Sequence, residues 1–564
     1  MGTRKAIAAT AFGFIPALAV AIVVLAGPAR GEDTRFLWAR TFNGATFFND
    51  SAQAVTVDRD GNVLAAGWTR SGDGTGANIL AIKYSPDGAV LWTTVFNDSI
   101  NGEDYAFGAA SDPLDGSFYV AGSVSVTGGA SAAWLRKFTP WGAEAWTVSY
   151  SNTPTGAQSV FRAVAVDPVA GCIYAAGSVS RPDLGAVGEA GNWLVMKYSR
   201  NGAALWPGAV IYNNSATSMW DEATAVTVDP YGNVVVAGYE THLDDGGILN
   251  DSIMGRRSTL LSYFQSKNIV LDTGIRVMRF APDRTPIDPP GIYRNPLYVD
   301  TVTKQSNARK YFATGVASDN LGNIVVTATI EAGTSISAYI RWARGYSFTG
   351  FVERWTRTVN QKDASAGAQD LCRGAAFLPA FNEVVLVGSS MRDDWFMGTN
   401  LTGDKFRFGD GGYVGNFFYD NGKYPGPRNE YGEAVAVAPS GALAMAGYEE
   451  RWDLGQGMNW LVTAWSPPDS PLEPLPGIRA WPSPFDPATA AGGCLKVAPL
   501  PEGAKLRIYT VAGLLVREVV ARGGVAIWDG RSAGGGKAAA GIYYYVATAP
   551  NMTRSRGSFM LVRR

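Results

Sequence analysis

Short apolar runs of four or five residues, separated by glycine-bearing turns, alternate along most of the chain, and the same order of runs recurs seven times. Each unit opens with a small apolar run, as in Ala54-Val-Thr-Val-Asp58, Ala163-Val-Ala-Val-Asp167 and Ala225-Val-Thr-Val-Asp229. A turn follows: Asp58-Arg-Asp-Gly-Asn62, Asp229-Pro-Tyr-Gly-Asn233, Asp319-Asn-Leu-Gly-Asn323. Gly and Asn tolerate positive φ, so these are hairpin connections. A β-branched run comes next (Val234-Val-Val-Ala-Gly238), then an alternating run with an aromatic (Trp134-Leu-Arg-Lys-Phe138, Trp193-Leu-Val-Met-Lys-Tyr198). A second turn, with Gly88, Gly142 or Gly202, leads to a fourth run holding Trp92, Trp146 or Trp206. Trp38, Trp92 and Trp146 lie 54 residues apart, and a fixed period of this size marks one stacked supersecondary unit. No long stretch places apolar residues at helical spacing.

Four antiparallel strands per unit, seven times over, predict an all-β, seven-bladed β-propeller. The first run is richest in Ala and Gly (Gly108-Ala-Ala110, Gly374-Ala-Ala376, Ala434-Val-Ala436), as the narrow space near an axis requires. The seventh unit reaches Trp465 and then meets Pro467-Pro468, so it lacks a fourth strand. An extra fourth-type strand, Phe36 to Phe42, precedes the first unit and is expected to complete the last blade, protecting both sheet edges. Blade limits fall near 43–96, 97–150, 151–211, 212–298, 299–359, 360–419 and 420–466 with 36–42. Units five and six are the most diverged. Unit four has an insertion from about Glu240 to Thr273, with a short helix expected at Ser258 to Lys267 and His242 near its start.

The predicted organisation is a signal peptide at 1–31, the propeller at 32–466, a proline-rich linker at 467–477 and a C-terminal module at 478–564. Alternation in the last module indicates about seven short strands and a small Ig-like β-sandwich. Its Trp481-Pro-Ser-Pro-Phe485, Leu506 to Arg517, Trp528-Asp-Gly530 and Gly541-Ile-Tyr-Tyr-Tyr545 resemble the Ig-like module of the flagellar hook-capping protein family and of C-terminal sorting domains of exported bacterial proteins. The family pattern has Asn where Ser483 stands. This resemblance implies a bacterial, secreted or surface-attached protein whose last module sorts, anchors or assembles it. Units 36–466 resemble the seven-bladed beta-propeller repeat family of bacterial secreted proteins, which implies architecture more than chemistry. Tyr84-Ser-Pro-Asp-Gly88-Ala-Val-Leu-Trp92 also resembles the repeat of pyrroloquinoline-quinone propellers. Seven units rather than eight, no adjacent cysteine pair and no haem-attachment motif speak against a quinone dehydrogenase.

Arg4 and Lys5 precede an uncharged stretch from Ala6 to Ala29 followed by small residues, the layout of an export signal. A retained anchor is the alternative, since the run is long enough to span a bilayer. No second spanning segment is predicted, and the rest of the chain is expected outside the cytoplasm. The formal net charge of −1 hides an asymmetry. Residues 478–564 carry 12 Lys and Arg against 4 Asp and Glu, whereas 32–477 carry 33 against 45. The basic tail is therefore suited to an acidic surface. Cys172, Cys372 and Cys494 are far apart, and His242 is the only histidine, so a multi-histidine metal site is excluded.

One constellation emerges on aligning the units. Eight residues before the turn position stand Asp50, Asp104, Ser159, Asp221, Tyr311, Asp370 and Glu430. The five acids, Asp50, Asp104, Asp221, Asp370 and Glu430, are expected at one mouth of the central channel. They serve there either as blade-to-blade hydrogen-bonding devices or as oxygen ligands for a cation. No cofactor is expected, a structural Ca2+ at this ring being the one candidate. Asp58 to Asn62 resembles half a calcium loop but lacks the distal Glu, so it reads as a hairpin. No Gly-x-Ser-x-Gly elbow appears. Trp141, Trp220, Tyr231 and Trp452 suit stacking on sugars or packing between blades. The expected function is a non-catalytic secreted propeller binding a protein or glycan at the cell surface, with no nucleic-acid partner. The alternative is a polysaccharide-acting hydrolase or lyase using acidic mouth residues.

Overall fold

The structure is a computed structural model that describes residues 34–44, 48–70, 72, 74–98, 100–151, 157–180, 191–213, 221–244, 270–287, 291–293, 310–332, 338–359, 370–391, 398–420, 429–438, 440–466, 478–500, 503–511, 514–548 and 555–563. The signal segment, the linker at 467–477, Trp220 and the helix expected at 258–267 lie outside them.

The first sheet sets the pattern. Ser51–Val57, Val63–Arg70, Ala77–Tyr84 and Val90–Phe96 pair antiparallel in chain order. The two middle strands are buried almost throughout, whereas the fourth alternates between exposed and half-buried positions. Among the described residues, seven such four-stranded sheets occur between Arg35 and Ser466. Their first strands are Ser51–Val57, Tyr105–Ser111, Ser159–Val166, Glu222–Val228, Lys310–Ser318, Leu371–Leu378 and Glu430–Val437. Each first strand touches the next in chain order, and the last touches the first, so the sheets form a closed, propeller-like ring with these strands innermost. The seventh sheet takes its outer strand from the other end of the chain. Arg35–Phe42 pairs with Met458–Ser466, setting Phe42 opposite Trp460 and Arg35 opposite Ser466.

The cores lie between sheets rather than within them. One cluster joins Ala52, Val55 and Leu80 of the first sheet to Ala446, Trp460 and Val462 of the seventh. A directional contact reinforces this apolar packing. The outer-strand indole of one sheet donates to a carbonyl in the second turn of the next: Trp38 Nε1 to Pro86 O (2.8 Å), Trp92 to Pro140 O (3.1 Å), Trp146 to Arg200 O (2.7 Å), Trp355 to Phe408 O (3.0 Å). The ring then lies on the turn glycine. A Cβ on Gly88 would sit 2.8 Å from Trp38, and one on Gly142 would sit 2.7 Å from Trp92. Both glycines also hold φ near +83 and +89°, so the turn requires glycine twice over. Where the fourth sheet meets the fifth, the Arg279 guanidinium covers Phe348 at 4.7 Å and donates to its carbonyl. Between the sixth and seventh, Phe417 packs on Trp465 at 5.0 Å.

Three expectations change. Trp206 does not lie in a fourth strand, which is only Val210–Tyr212. Pro207 follows it and has no N–H to give a ladder, yet Trp206 still donates to Pro282 O at 3.2 Å. The insertion in the fourth sheet starts and ends as strand, because Val234–Asp244 and Val270–Phe280 pair continuously as far as Asp244 and Val270. The candidate sugar-stacking aromatics divide: Trp141 and Trp452 are 74% and 67% exposed, whereas Tyr231 stacks on Phe348 at 4.2 Å.

The remaining described strands form one three-stranded sheet (Arg479–Trp481, Leu495–Ala498, Ala526–Trp528) and one four-stranded sheet (Lys505–Thr510, Leu515–Val520, Gly541–Thr548, Ser555–Leu561). They enclose Phe485, Val497, Ile508, Trp528, Tyr545 and Phe559.

Trp92→Ala removes both the indole packing and the hydrogen bond to the second sheet. The expected loss is about 3–5 kcal/mol of unfolding free energy, against about 1 kcal/mol for Trp92→Phe, which loses chiefly the N–H. Urea titration checks this, and equal costs would show that the hydrogen bond is not a separable part of the contact.

Candidate functional site

The five acids begin or immediately precede the innermost strands, and all are 2% exposed or less. Asp50 accepts from Gly44 N (2.7 Å), Thr69 Oγ1 (2.5 Å) and Arg70 N (3.3 Å). Asp104 accepts from Asp98 N (2.7 Å) and Ser125 N (3.0 Å), and Asp370 accepts from Ser390 Oγ. Their own amides reach the preceding sheet: Asp50 N to Met458 O, Asp104 N to Ala77 O, Asp221 N to Gly191 O and Asp370 N to Tyr339 O, all at 2.7–3.0 Å. Glu430 is buried at the same place in the seventh sheet. Burial raises the Asp50 and Asp104 carboxyls, and the donated hydrogen bonds oppose the shift. Among the described residues, no three His, Cys, Asp or Glu side chains converge as a metal-binding group. The five are thus set one per sheet, each engaged in local hydrogen bonds or burial.

What faces the axis follows from an irregularity just after them. Every innermost strand breaks register with its neighbour once: between Ala52 and Ala54, Ala106 and Gly108, Phe161 and Ala163, Ala223 and Ala225, Ala313 and Gly315, Cys372 and Gly374, and Gly432 and Ala434. Such a β-bulge leaves one residue unpaired and re-aims its side chain. In all but the fifth sheet, where Ala328 stands, a glycine opposite makes room: a Cβ on Gly67 would lie 2.0 Å from Ser51 O, and one on Gly122 would lie 1.9 Å from Tyr105 O. The skipped residues are Gln53, Phe107, Arg162, Thr224, Thr314, Arg373 and Glu433. These, with the residues two positions earlier, make a ring of polar and aromatic side chains in which Val160 and Leu371 are the aliphatic members.

The ring is linked across sheet boundaries. The Arg162 guanidinium lies 4.4 Å over Phe107 and pairs with Glu222 Oε1 at 2.7 Å. Glu222 also accepts from Ser178 Oγ (3.1 Å) and the Tyr239 hydroxyl (3.0 Å). Burial and then Glu222 push the Tyr239 phenol upward, so it stays a donor. Tyr105 stacks beside Phe107, and its hydroxyl donates to Glu103 at 2.6 Å, as does Arg70. On the sixth and seventh sheets Arg373 pairs loosely with Glu433 at 3.6 Å, and Tyr431 stacks on Tyr448 at 4.7 Å. Burial raises the Glu433 carboxyl, with Arg373 opposing. The Arg70, Arg162 and Arg373 side chains remain 35%, 36% and 45% exposed, so their charges are reachable from solvent. The set offers planar apolar faces beside fixed donors and acceptors, which is recognition chemistry.

The turn acids are occupied by their own hairpins. Asp58 accepts from Asp60 N, Asn62 N and Asn62 Nδ2, and holds Lys83 at 3.2 Å. Asp112 takes a bidentate pair from Arg200 of the next sheet at 2.8 and 3.0 Å.

No family model matches the sequence, and no curated protein matches it. Solved structures are similar to it at low identity. PorZ of Porphyromonas gingivalis, an essential bacterial surface component of the type-IX secretion system, is 14% identical over 92% of this chain, with a TM-score of 0.38. This chain spans 61% of PorZ's length. The polysaccharide lyase Uly1 is 8% identical over 77% of this chain and 98% of its own, TM-score 0.43. A fungal alcohol oxidase of the AA5 family, in complex with copper, is 14% identical over 94% and 99%, TM-score 0.41.

Glu433 gives a pH test. Its folded-state value lies above the ordinary 4.5, so the fold holds this proton more tightly than the unfolded chain does. Its contribution therefore declines as pH rises from 4.5 through the raised value. Glu433→Gln is expected to remove that decline and flatten the acid side of the stability profile. Urea midpoints from acid to neutral pH measure it, and an unchanged slope would refute the assignment.

Proposed function

We propose that this protein is a secreted or surface-exposed seven-bladed β-propeller with a C-terminal Ig-like sandwich, and that it recognises a glycan or protein partner at the propeller mouth without catalysing a reaction. The observation that carries the reading is the bulge ring. Seven re-aimed side chains and their neighbours set Tyr105, Phe107, Tyr431 and Tyr448 beside the partly exposed Arg70, Arg162 and Arg373. Aromatic faces suit the apolar faces of sugar rings, and guanidinium groups suit hydroxyls and carboxylates. The five buried acids have a bracing role in this reading: each helps to fix the start of an innermost strand and so the bulge that follows. The last module would sort, anchor or assemble the protein at the surface, in keeping with its basic balance.

A second reading, a polysaccharide hydrolase or lyase, is favoured by one observation. Glu433 has the raised carboxyl that a general acid needs, and Glu222 supplies a second carboxylate on the ring.

Phe107→Ala and Arg373→Ala, made separately, are expected to weaken binding of an acidic polysaccharide by about tenfold or more without lowering the melting temperature. Titration calorimetry with the full chain checks this. Binding unchanged by both variants would remove the mouth as the site. Release of new sugar ends by the wild type, abolished in Glu433→Gln, would establish the second reading instead.

A further inference from the structure

The C-terminal module meets the ring on the side of the tight turns. In its three-stranded sheet, Trp481 lies opposite Lys496, and Lys496 opposite Ile527, so the three share one face. The sandwich core lies on the other face, with Leu495 and Val497. Trp481 packs on Tyr231 at 4.9 Å, and Tyr231 in turn stacks on Phe348. One column of aromatic rings thus runs from the module through the fourth sheet's first turn to the fifth sheet's second turn.

Lys496 enters beside it. A Cβ placed on Gly232 would lie 3.9 Å from Lys496 Nζ and 3.3 Å from Asp167 Oδ2. The ammonium is thus brought to the turn acids of the third and fourth sheets. Burial pushes Lys496 down, and the Asp167 and Asp229 carboxylates oppose this. The turn at Gly523-Gly524 reaches the third and fifth sheets at their first turns. A Cβ on Gly523 would fall 2.5 Å from Pro168, and one on Gly524 would fall 2.9 Å from Asn320 Oδ1. Both residues have positive φ, at 57 and 84°. This turn seats against the ring only because it carries no side chain.

We propose that the turn side of the third to fifth sheets is a docking site for the chain's own C-terminal module, and that these contacts keep the module seated after the linker at 467–477 is cut. The partner is specified by chemistry: an aromatic anchor, a half-buried cation opposite two carboxylates and a side-chain-free turn. The charge asymmetry between 32–477 and 478–564 acts in the same direction. The module is then a resident half of the molecule rather than a freely swinging tail, and it covers the turn side while the mouth stays open.

The test uses the full chain with a sequence-specific protease site placed in 467–477. The folded protein is cut, and the pieces are passed through gel filtration at physiological salt. Co-elution is expected for the wild type. Tyr231→Ala and Lys496→Glu are each expected to weaken retention by at least about tenfold, the scale of a central interface residue. Retention of Lys496→Glu is expected to fall further as Tyr231→Ala is added. Near-ultraviolet circular dichroism of the cut pieces confirms that the module stays folded. Wild-type pieces that are folded yet elute apart would overturn the proposal, as would variants retained as tightly as the wild type.

Discussion

The outer-strand indole of one sheet, laid on the turn glycine of the next and bonded to a carbonyl there, is the contact on which the ring depends. A four-stranded sheet with both faces apolar cannot be stable alone, so each must be covered by its neighbours. Apolar packing supplies the cover but little direction. The Trp38, Trp92, Trp146 and Trp355 N–H groups supply direction, because each reaches one carbonyl on the following sheet. The same residue fixes spacing and angle at once. The glycine requirement is then a steric consequence: any side chain at Gly88 or Gly142 would occupy the volume of the ring.

That contact explains why so much of the fold could be read from the chain. Tryptophans 54 residues apart and a second-turn glycine four residues before each of Trp92, Trp146 and Trp206 are both clear marks. The closing strand was legible for the same reason, since Trp38 stands where a fourth-strand tryptophan belongs. The site was less legible. Alternation places every second residue on one face, and a bulge inserts one residue and reverses the phase. The acids at Asp50 and Asp104 stand out by charge, yet their carboxylates are turned into the protein by backbone N–H donors. The side chains that reach the ring's inner surface come one and three residues later, as Tyr105, Phe107, Glu222 and Glu433. The only sequence mark of the bulge is the glycine on the opposite strand, Gly67 or Gly122, which also passes for a strand end. Trp206 failed as a strand residue because the proline after it carries no amide hydrogen.

Two buried cations are handled alike. Lys83 is met by Asp58, the Pro140 carbonyl and the Phe118 ring. Arg341, with no exposed surface, is met by Asp404, Thr402 and the Leu371 carbonyl. Each cation has an anion and a carbonyl together, which is the condition under which a charge can leave water without a large penalty. Removing one partner from such a site strands the other. These positions should therefore be less tolerant of substitution than the half-solvated Arg70, Arg162 and Arg373.

The pairing of Arg35–Phe42 with Met458–Ser466 also bears on the order of events in the cell. Within the ring, the first strand in chain order pairs with the last, so the circle cannot close until the chain has reached Ser466. A nascent chain must carry that edge unpaired until then. The architecture thus places closure of the ring late in its folding, when two strands more than four hundred residues apart first meet.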